Sequence, residues 1–420
     1  MKIIFFQLIA FSVPLAPFIL PALILILLII WLYEGDFKQK WKQFKSNSFV
    51  FYLPCLFLLY LFGLLWSDNI EHGLSDIETK LTLLLFPVII LSQQFTSEQI
   101  QAIKDRFIEG CLVALLLLLS FCFYNYYLHM ENSVFYYEAF SVHLHPSYFA
   151  LYLNLGLILI IDKIINGKLK IYWLTFYLLA LLLFLVSIFL SSSKSGILTL
   201  FFSLGLGTVL LISWKRLFQM FLILSVLFIG LFSFLEVNNK KFNLLLNSDV
   251  VSLLSDPIKV RFSDLVNPLN SESIHQTATS SSSVRVLVWN TAKELIMENP
   301  YFGTGTGDVK DKLTEKYKVK EYIIASEKKL NAHNQFLQTA IALGVFGLIL
   351  LLLNMFIPLF YAIKYKSWIF LLFILIMIFN FLTESLLERQ AGVIFYAFFN
   401  SLFLITLKQN TNDPILTSKN

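Results

Sequence analysis

The chain has 420 residues, 57% hydrophobic and 14% charged, with a mean hydropathy of +0.73 and a formal charge of +5. Soluble domains carry about 25% charged residues, so this balance points to a bilayer as the main solvent. The net charge is small and the lysines are scattered between apolar runs, which excludes a nucleic-acid binder.

A membrane-spanning helix needs about 20 apolar residues, because backbone groups cannot stay unpaired in hydrocarbon. Residues 3–33 exceed one span and contain Pro14, Pro17 and Pro21, so a helical hairpin is expected over 3–16 and 18–33. The same stretch is too long for a signal core and has no small-residue cleavage site, so it reads as an anchor. Lys38, Lys40, Lys42 and Lys45 follow, then a span at 49–66, the acidic stretch SDNIEHGLSDIETK and a span at 80–92. Further spans are expected at 107–128, 147–161, 171–190, 196–213, 217–235, 333–360, 368–382 and 392–407. The fold class is therefore an all-α integral membrane protein of about 12 transmembrane helices. Cys55, Cys111 and Cys122 lie inside apolar runs without metal spacing and read as packing residues.

Cation counting sets an expected orientation. With the N-terminus in the cytoplasm, inner segments hold 16 Lys and Arg, and short outer loops hold only Lys80, Lys194 and Arg389. Both termini then lie inside. Residues 236–331 form one long outer loop before span ten, with 13 cations against 12 anions. Three segments result: 1–235 with about nine spans, the loop domain 236–331, and the spans and short tail of 332–420. Within the loop, a helix capped by Ser283 is expected to run to Asn299-Pro300, with Val286, Trp289, Leu295 and Ile296 on one face. DVKDKLTEKYKVKEY (308–322) reads as a second, basic surface helix.

Several residues are candidates for chemistry. GTGTG (303–307) resembles a phosphate cradle, but it lacks a following Lys-Ser/Thr and comes after a helix; a tight turn is the expected reading, and no nucleotide is implied. Arg285 offers a planar fork suited to a diphosphate, or to a carboxylate of the loop. His333, in NAHNQF at the loop–membrane boundary, fits either a general base or a structural interfacial histidine. Lys194, in LSSSKSG, either holds phosphate or snorkels. His143 and His145 have i, i+2 spacing but no further ligands in view, and read as interfacial. Asp68 and Glu71 can supply a carboxylate base or remain solvated, whereas Glu384, Glu388 and Arg389 share the short outer loop TESLLERQ and are expected to form ion pairs. No Asp-x-Asp or compact carboxylate cluster suggests a metal.

Taken in order, Arg285–x3–Trp289, Asn299-Pro300–x2–Gly303–x–Gly305–x–Gly307, His333-Asn334 and Gly344–x2–Gly347 resemble the O-antigen ligase/polymerase superfamily. Residues 63–87, HPSYFALYL (145–153) and LSSSKSGILTL (190–200) also resemble segments of that family, so the likeness covers most of the chain. It implies a GT-C-like glycosyltransferase of the bacterial inner membrane, working at the periplasmic face. The implied reaction moves a glycan from undecaprenyl diphosphate to an acceptor hydroxyl, with inversion and without metal or cofactor. The acceptor is the lipid A-core in a ligase and another lipid-linked repeat in a polymerase. The family's histidine maps onto His333 as base and its loop arginine onto Arg285 as diphosphate binder. Lys194 stands where the family often has Arg, keeping the charge but losing the fork. Arg261 and Arg389 are implied as further phosphate contacts. A glycolipid flippase or transporter is the alternative of another class; the long outer loop and the lack of buried charges in most spans count against it.

Overall fold

A computed structural model of the chain describes residues 2–45, 51–211 and 281–411. All regular secondary structure among these residues is helical. Five helices are long and apolar enough to cross a membrane: Ser97–His129, Pro146–Asn166, Ile171–Leu190, Gln335–Lys364 and Gln390–Leu407. Each coincides with an expected span.

The other expected spans are shorter. Lys2–Leu15, Tyr52–Trp66, Lys194–Gly207 and Trp368–Thr383 are apolar but below full spanning length, and Thr82–Leu91 has ten residues. The prolines break the N-terminal run as expected, with a short 3-10 turn at Pro17–Ile19. Pro17–Tyr33 then bends by 112° into Phe37–Lys45, the helix that carries the four early lysines. The expected span at 217–235 and Arg261 lie outside the described residues. Among the described residues five helices are full-length candidates, or six with the bent pair counted, and four more are shorter apolar helices.

Burial sorts the helices into inner and outer ones. Pro146–Asn166 is buried on every face from Pro146 to Ile160, and Gln390–Thr411 is buried almost throughout from Val393 to Ile405. Ile171–Leu190 instead exposes Tyr172, Trp173, Leu178, Leu179 and Leu182, an apolar surface suited to lipid. Amide side chains tie the inner helices together. Asn154 Nδ2 donates to the Gly196 carbonyl at 3.2 Å, Asn380 Nδ2 to Thr199 Oγ1 at 3.1 Å, and Asn354 Nδ2 to the Tyr52 carbonyl at 3.0 Å. Cross-helix bonds of this kind hold apolar helices in register where burial gives no preference.

Two parts of the loop fold as helices against this bundle. The first runs Ser281–Glu298, two residues ahead of the expected cap. Its buried face is Val284, Leu287, Val288, Ala292 and Leu295, and Val286 is exposed, so the expected face was rotated. The basic segment forms Val309–Val319 and a short continuation, Ile323–Glu327. The acidic stretch after Trp66 also folds, as Ile70–Lys80, with Asn69 capping the His72 N–H at 3.0 Å.

The glycine turn joins these parts and binds its own protein rather than phosphate. Thr304 N–H donates to the Ile341 carbonyl at 2.7 Å, Gly305 N–H to Ala342 at 3.0 Å and Gly307 N–H to Ser67 Oγ at 3.0 Å. Helix Gln335–Lys364 kinks at Gly344 (φ 60°), and Val345 N–H there donates back to the Pro300 carbonyl at 2.8 Å. Gly303 has φ +72°, and a Cβ on it would sit 2.4 Å from the Ile341 carbonyl oxygen. Both the dihedral and the close backbone therefore require glycine. We expect Gly303→Ala to lower stability by roughly 1–3 kcal/mol, read as a lower thermal midpoint in detergent. An unchanged midpoint would mean that the turn is not a structural brace.

Candidate functional site

A cavity of 460 Å³ opens where the loop helix, the start of Lys194–Leu211 and the loop after Thr383 meet. Its size falls in the range of small-molecule sites, about 300–1,000 Å³. Lys194, Arg285 and His333, far apart in the chain, all line it.

At its centre is Glu384, a buried carboxylate. Arg285 Nη2 donates to Glu384 Oε1 at 2.8 Å, and His333 Nδ1 lies 3.1 Å from Oε2. Ser147 Oγ lies 3.4 Å from Oε1, backed by Ser193 Oγ at 3.3 Å. Burial alone would raise the pKa of Glu384. The hydrogen bond from His333 and the charges of Arg285, His333 and His145 outweigh burial and hold the carboxyl below its ordinary value of 4.5. Glu384 is therefore ionised at neutral pH and can only accept. His333 Nδ1 must then carry the ring proton, which leaves Nε2 as the nitrogen with a free lone pair.

The backbone around His333 is held on both sides. His333 has φ +44°, a left-handed conformation uncommon for a side-chain-bearing residue. Its N–H donates to Asn331 Oδ1 at 3.0 Å, while Trp289 Nε1 donates to the Ala332 carbonyl at 3.0 Å. Asn334 caps helix Gln335–Lys364 through the Leu337 N–H, and its own N–H donates to Ser385 Oγ at 3.2 Å. Gln335 Oε1 accepts from Leu387 N–H at 2.7 Å. These bonds strap residues 331–335 to the loop bearing Glu384, so Glu384, His333 and Arg285 keep one relative geometry.

Arg285 spends one nitrogen on Glu384 and retains other N–H donors toward the cavity. Lys194 adds a second cation to the wall. Together they suit an anion with two phosphate groups, held next to a lone-pair nitrogen. Arg285 is thus paired with a carboxylate, though not one from its own loop.

Other candidates are placed elsewhere. Asp68 and Glu71 face a separate surface region; Asp68 is 90% exposed, with Lys312 Nζ 4.0 Å away. His143 bonds the Pro14 carbonyl at 2.9 Å, whereas His145 turns into the cavity. The two rings point apart, so their i, i+2 spacing does not make a ligand pair. Burial lowers the pKa of His145, with Glu384 pulling the other way. Arg389 does not line the cavity. Glu384 and Glu388 form ion pairs as expected, Glu384 with Arg285 and Glu388 with Lys80 at 3.1 Å. Glu384 and Ser147 are the site residues that sequence reasoning missed. The charged island TESLLERQ between two apolar runs was the one available signal for Glu384.

No curated protein matches the chain. Residues 179–352 match the O-antigen ligase family, a stretch that contains Lys194, Arg285 and His333 and stops short of Glu384. Over that stretch, less than half of the chain, the protein is similar to the O-antigen ligase family, which supports the likeness carried by its motifs.

Proposed function

We propose that the protein transfers a glycan from undecaprenyl diphosphate to an acceptor hydroxyl at the periplasmic face of the bacterial inner membrane, as an O-antigen ligase with the lipid A-core as acceptor. The observation that carries this reading is the convergence of His333, Arg285 and Lys194 on one cavity, around an ionised Glu384. The cavity lies at the ends of apolar helices, where a polyprenyl tail can stay in lipid while diphosphate and sugars stay in water. The bond to diphosphate is already activated, so no nucleotide is needed.

In this reading the acceptor hydroxyl attacks the anomeric carbon from the face opposite the diphosphate. His333 Nε2 takes the hydroxyl proton as the new C–O bond forms. The anomeric C–O bond to phosphate breaks, and the diphosphate leaves with its negative charge against Arg285 and Lys194. One displacement inverts the anomeric centre. Glu384 stabilises the imidazolium that results and keeps Nε2 aimed at the hydroxyl. Arg261 is a further diphosphate contact in this proposal, contributed by the loop domain 236–331.

The test is a lipopolysaccharide gel from a deletion strain, beside the lipid-linked glycans of the same cells. Core without O-chain, with polymer accumulating on the carrier, establishes the ligase. Core bearing a single repeat establishes the repeat-unit polymerase instead, and an unchanged pattern removes both. Lys194 gives a finer test. Lys194→Ala is expected to raise KM for the donor about tenfold, a loss of about 1.4 kcal/mol, whereas Lys194→Arg keeps the charge and restores the fork. Equal KM values in all three proteins would remove Lys194 from the diphosphate site.

A further inference from the structure

A second cavity of 250 Å³ lies beside the first and plays no part in the mechanism above. The two share a wall. Lys328, Leu330 and His333 face the first cavity, while Lys329 and Asn331 face the second. Behind the second cavity sits Lys80, which has no exposed side-chain surface. Its ammonium bridges Asp76 Oδ1 at 2.5 Å and Glu388 Oε1 at 3.1 Å, and lies 4.8 Å from the ring centre of Tyr60. Burial alone would lower the pKa of Lys80, but the two carboxylates outweigh it and keep the ammonium charged.

Charges of both signs face the cavity: Asp76 and Glu388 share the buried Lys80, and Lys310 and Lys329 also line the wall. Among the described residues Lys80 is the ion-pair partner of both Asp76 and Glu388, and it uses one oxygen of each. The second oxygens are available to accept from a ligand, and a partly buried carboxylate is costly without such donors. Thr79, Ser75 and Asn331 add groups that both donate and accept, and Val309 and Leu313 supply an apolar side. A sugar ring suits this mixed wall, because it has hydroxyl edges that both donate and accept and C–H faces that pack on Val309 and Leu313.

We propose that this cavity is a glycan subsite, which holds a sugar ring next to the unit reacting at His333. This rests on the transferase reading for the meaning of its ligand. Asp76 and Glu388 accept from the ring hydroxyls, and Lys80 holds both carboxylates in place. The subsite fixes which glycan is accepted, without touching the reacting bond.

Binding to the purified full-length protein separates the two cavities. The probes are the oligosaccharide repeat released from its carrier by mild acid, and inorganic pyrophosphate. Ser75 is exposed at the cavity mouth, so Ser75→Trp blocks the opening without disturbing the core. The expected result is oligosaccharide binding weakened about tenfold or more, with pyrophosphate binding unchanged. Arg285→Ala is expected to do the reverse. Oligosaccharide that binds Ser75→Trp as it binds wild type, or that fails to bind wild type, overturns the subsite. Failure of pyrophosphate to bind wild type counts against the transferase reading instead, and leaves the oligosaccharide result standing. Loss of both ligands in Ser75→Trp marks a damaged variant, and Thr79→Leu then decides by the same two measurements.

Discussion

His333→Ala is expected to reduce kcat for glycan transfer by about 10²–10⁴-fold, the usual contribution of a general base. The fold should survive. The His333 side chain makes one hydrogen bond, to Glu384, and Glu384 keeps Arg285 as a partner when the ring is gone. The left-handed backbone at position 333 is fixed by Asn331, Ala332 and Asn334, which the substitution leaves in place. Donor binding should change little, because the proposed diphosphate contacts belong to Arg285 and Lys194. The measurement is single-turnover transfer by purified protein, with thermal midpoint as the control for folding. Near-normal transfer would refute the base role.

Glu384→Gln is expected to lower kcat by a comparable amount, about 10²-fold or more, by a different route. The side chain keeps its size, but one of its two oxygens becomes an amide donor. With its oxygen kept on Arg285, the amide faces His333 Nδ1, which must then accept. The ring proton moves to Nε2, and the lone pair that takes the hydroxyl proton disappears. Stability also falls, by roughly 1–3 kcal/mol, because a partly buried Arg285 loses its carboxylate. The pH dependence has a definite sign. Glu384 is held below its ordinary value of 4.5, so its stabilising contribution is complete above that pH and is lost as pH falls through the lowered value. The stability gap between wild type and Glu384→Gln should therefore close on acidification below about 4.5. A gap that stays constant, with wild-type activity in the variant, would show that Glu384 neither pairs with Arg285 nor orients His333.

Part of this site is legible from local sequence. Arg285 and His333 stand out because arginine is rare in this chain and because a histidine at the start of an apolar helix lies where water meets lipid. Glu384 is not legible in that way. It lies 99 residues after Arg285 and 51 after His333, and nothing in TESLLERQ says which of its charges turns toward them. Ion pairing is the expectation for Glu384, Glu388 and Arg389, but nearness in sequence does not name the partners. The packed protein sends Glu384 to one cavity and Glu388 to the other. GTGTG gives the converse lesson, since its glycine content reads equally as cradle or tight turn until its N–H groups are seen bonded to Ile341, Ala342 and Ser67.

What the sequence by itself determined was the solvent and the helical class. Apolar runs and their breaks are local quantities, set by transfer of side chains and backbone into hydrocarbon, and they survive any rearrangement of the helices. Exact lengths were less secure, because an apolar run does not say where a helix ends against a neighbour. Thr82–Leu91 is ten residues long for that reason, preceded at once by the separate helix Ile70–Lys80. Only the tertiary structure decided which charges meet. A buried carboxylate is stable only with partners in reach, and those partners come from helix ends that packing alone brings together. Glu384 between Arg285 and His333, and Lys80 between Asp76 and Glu388, are both products of that packing.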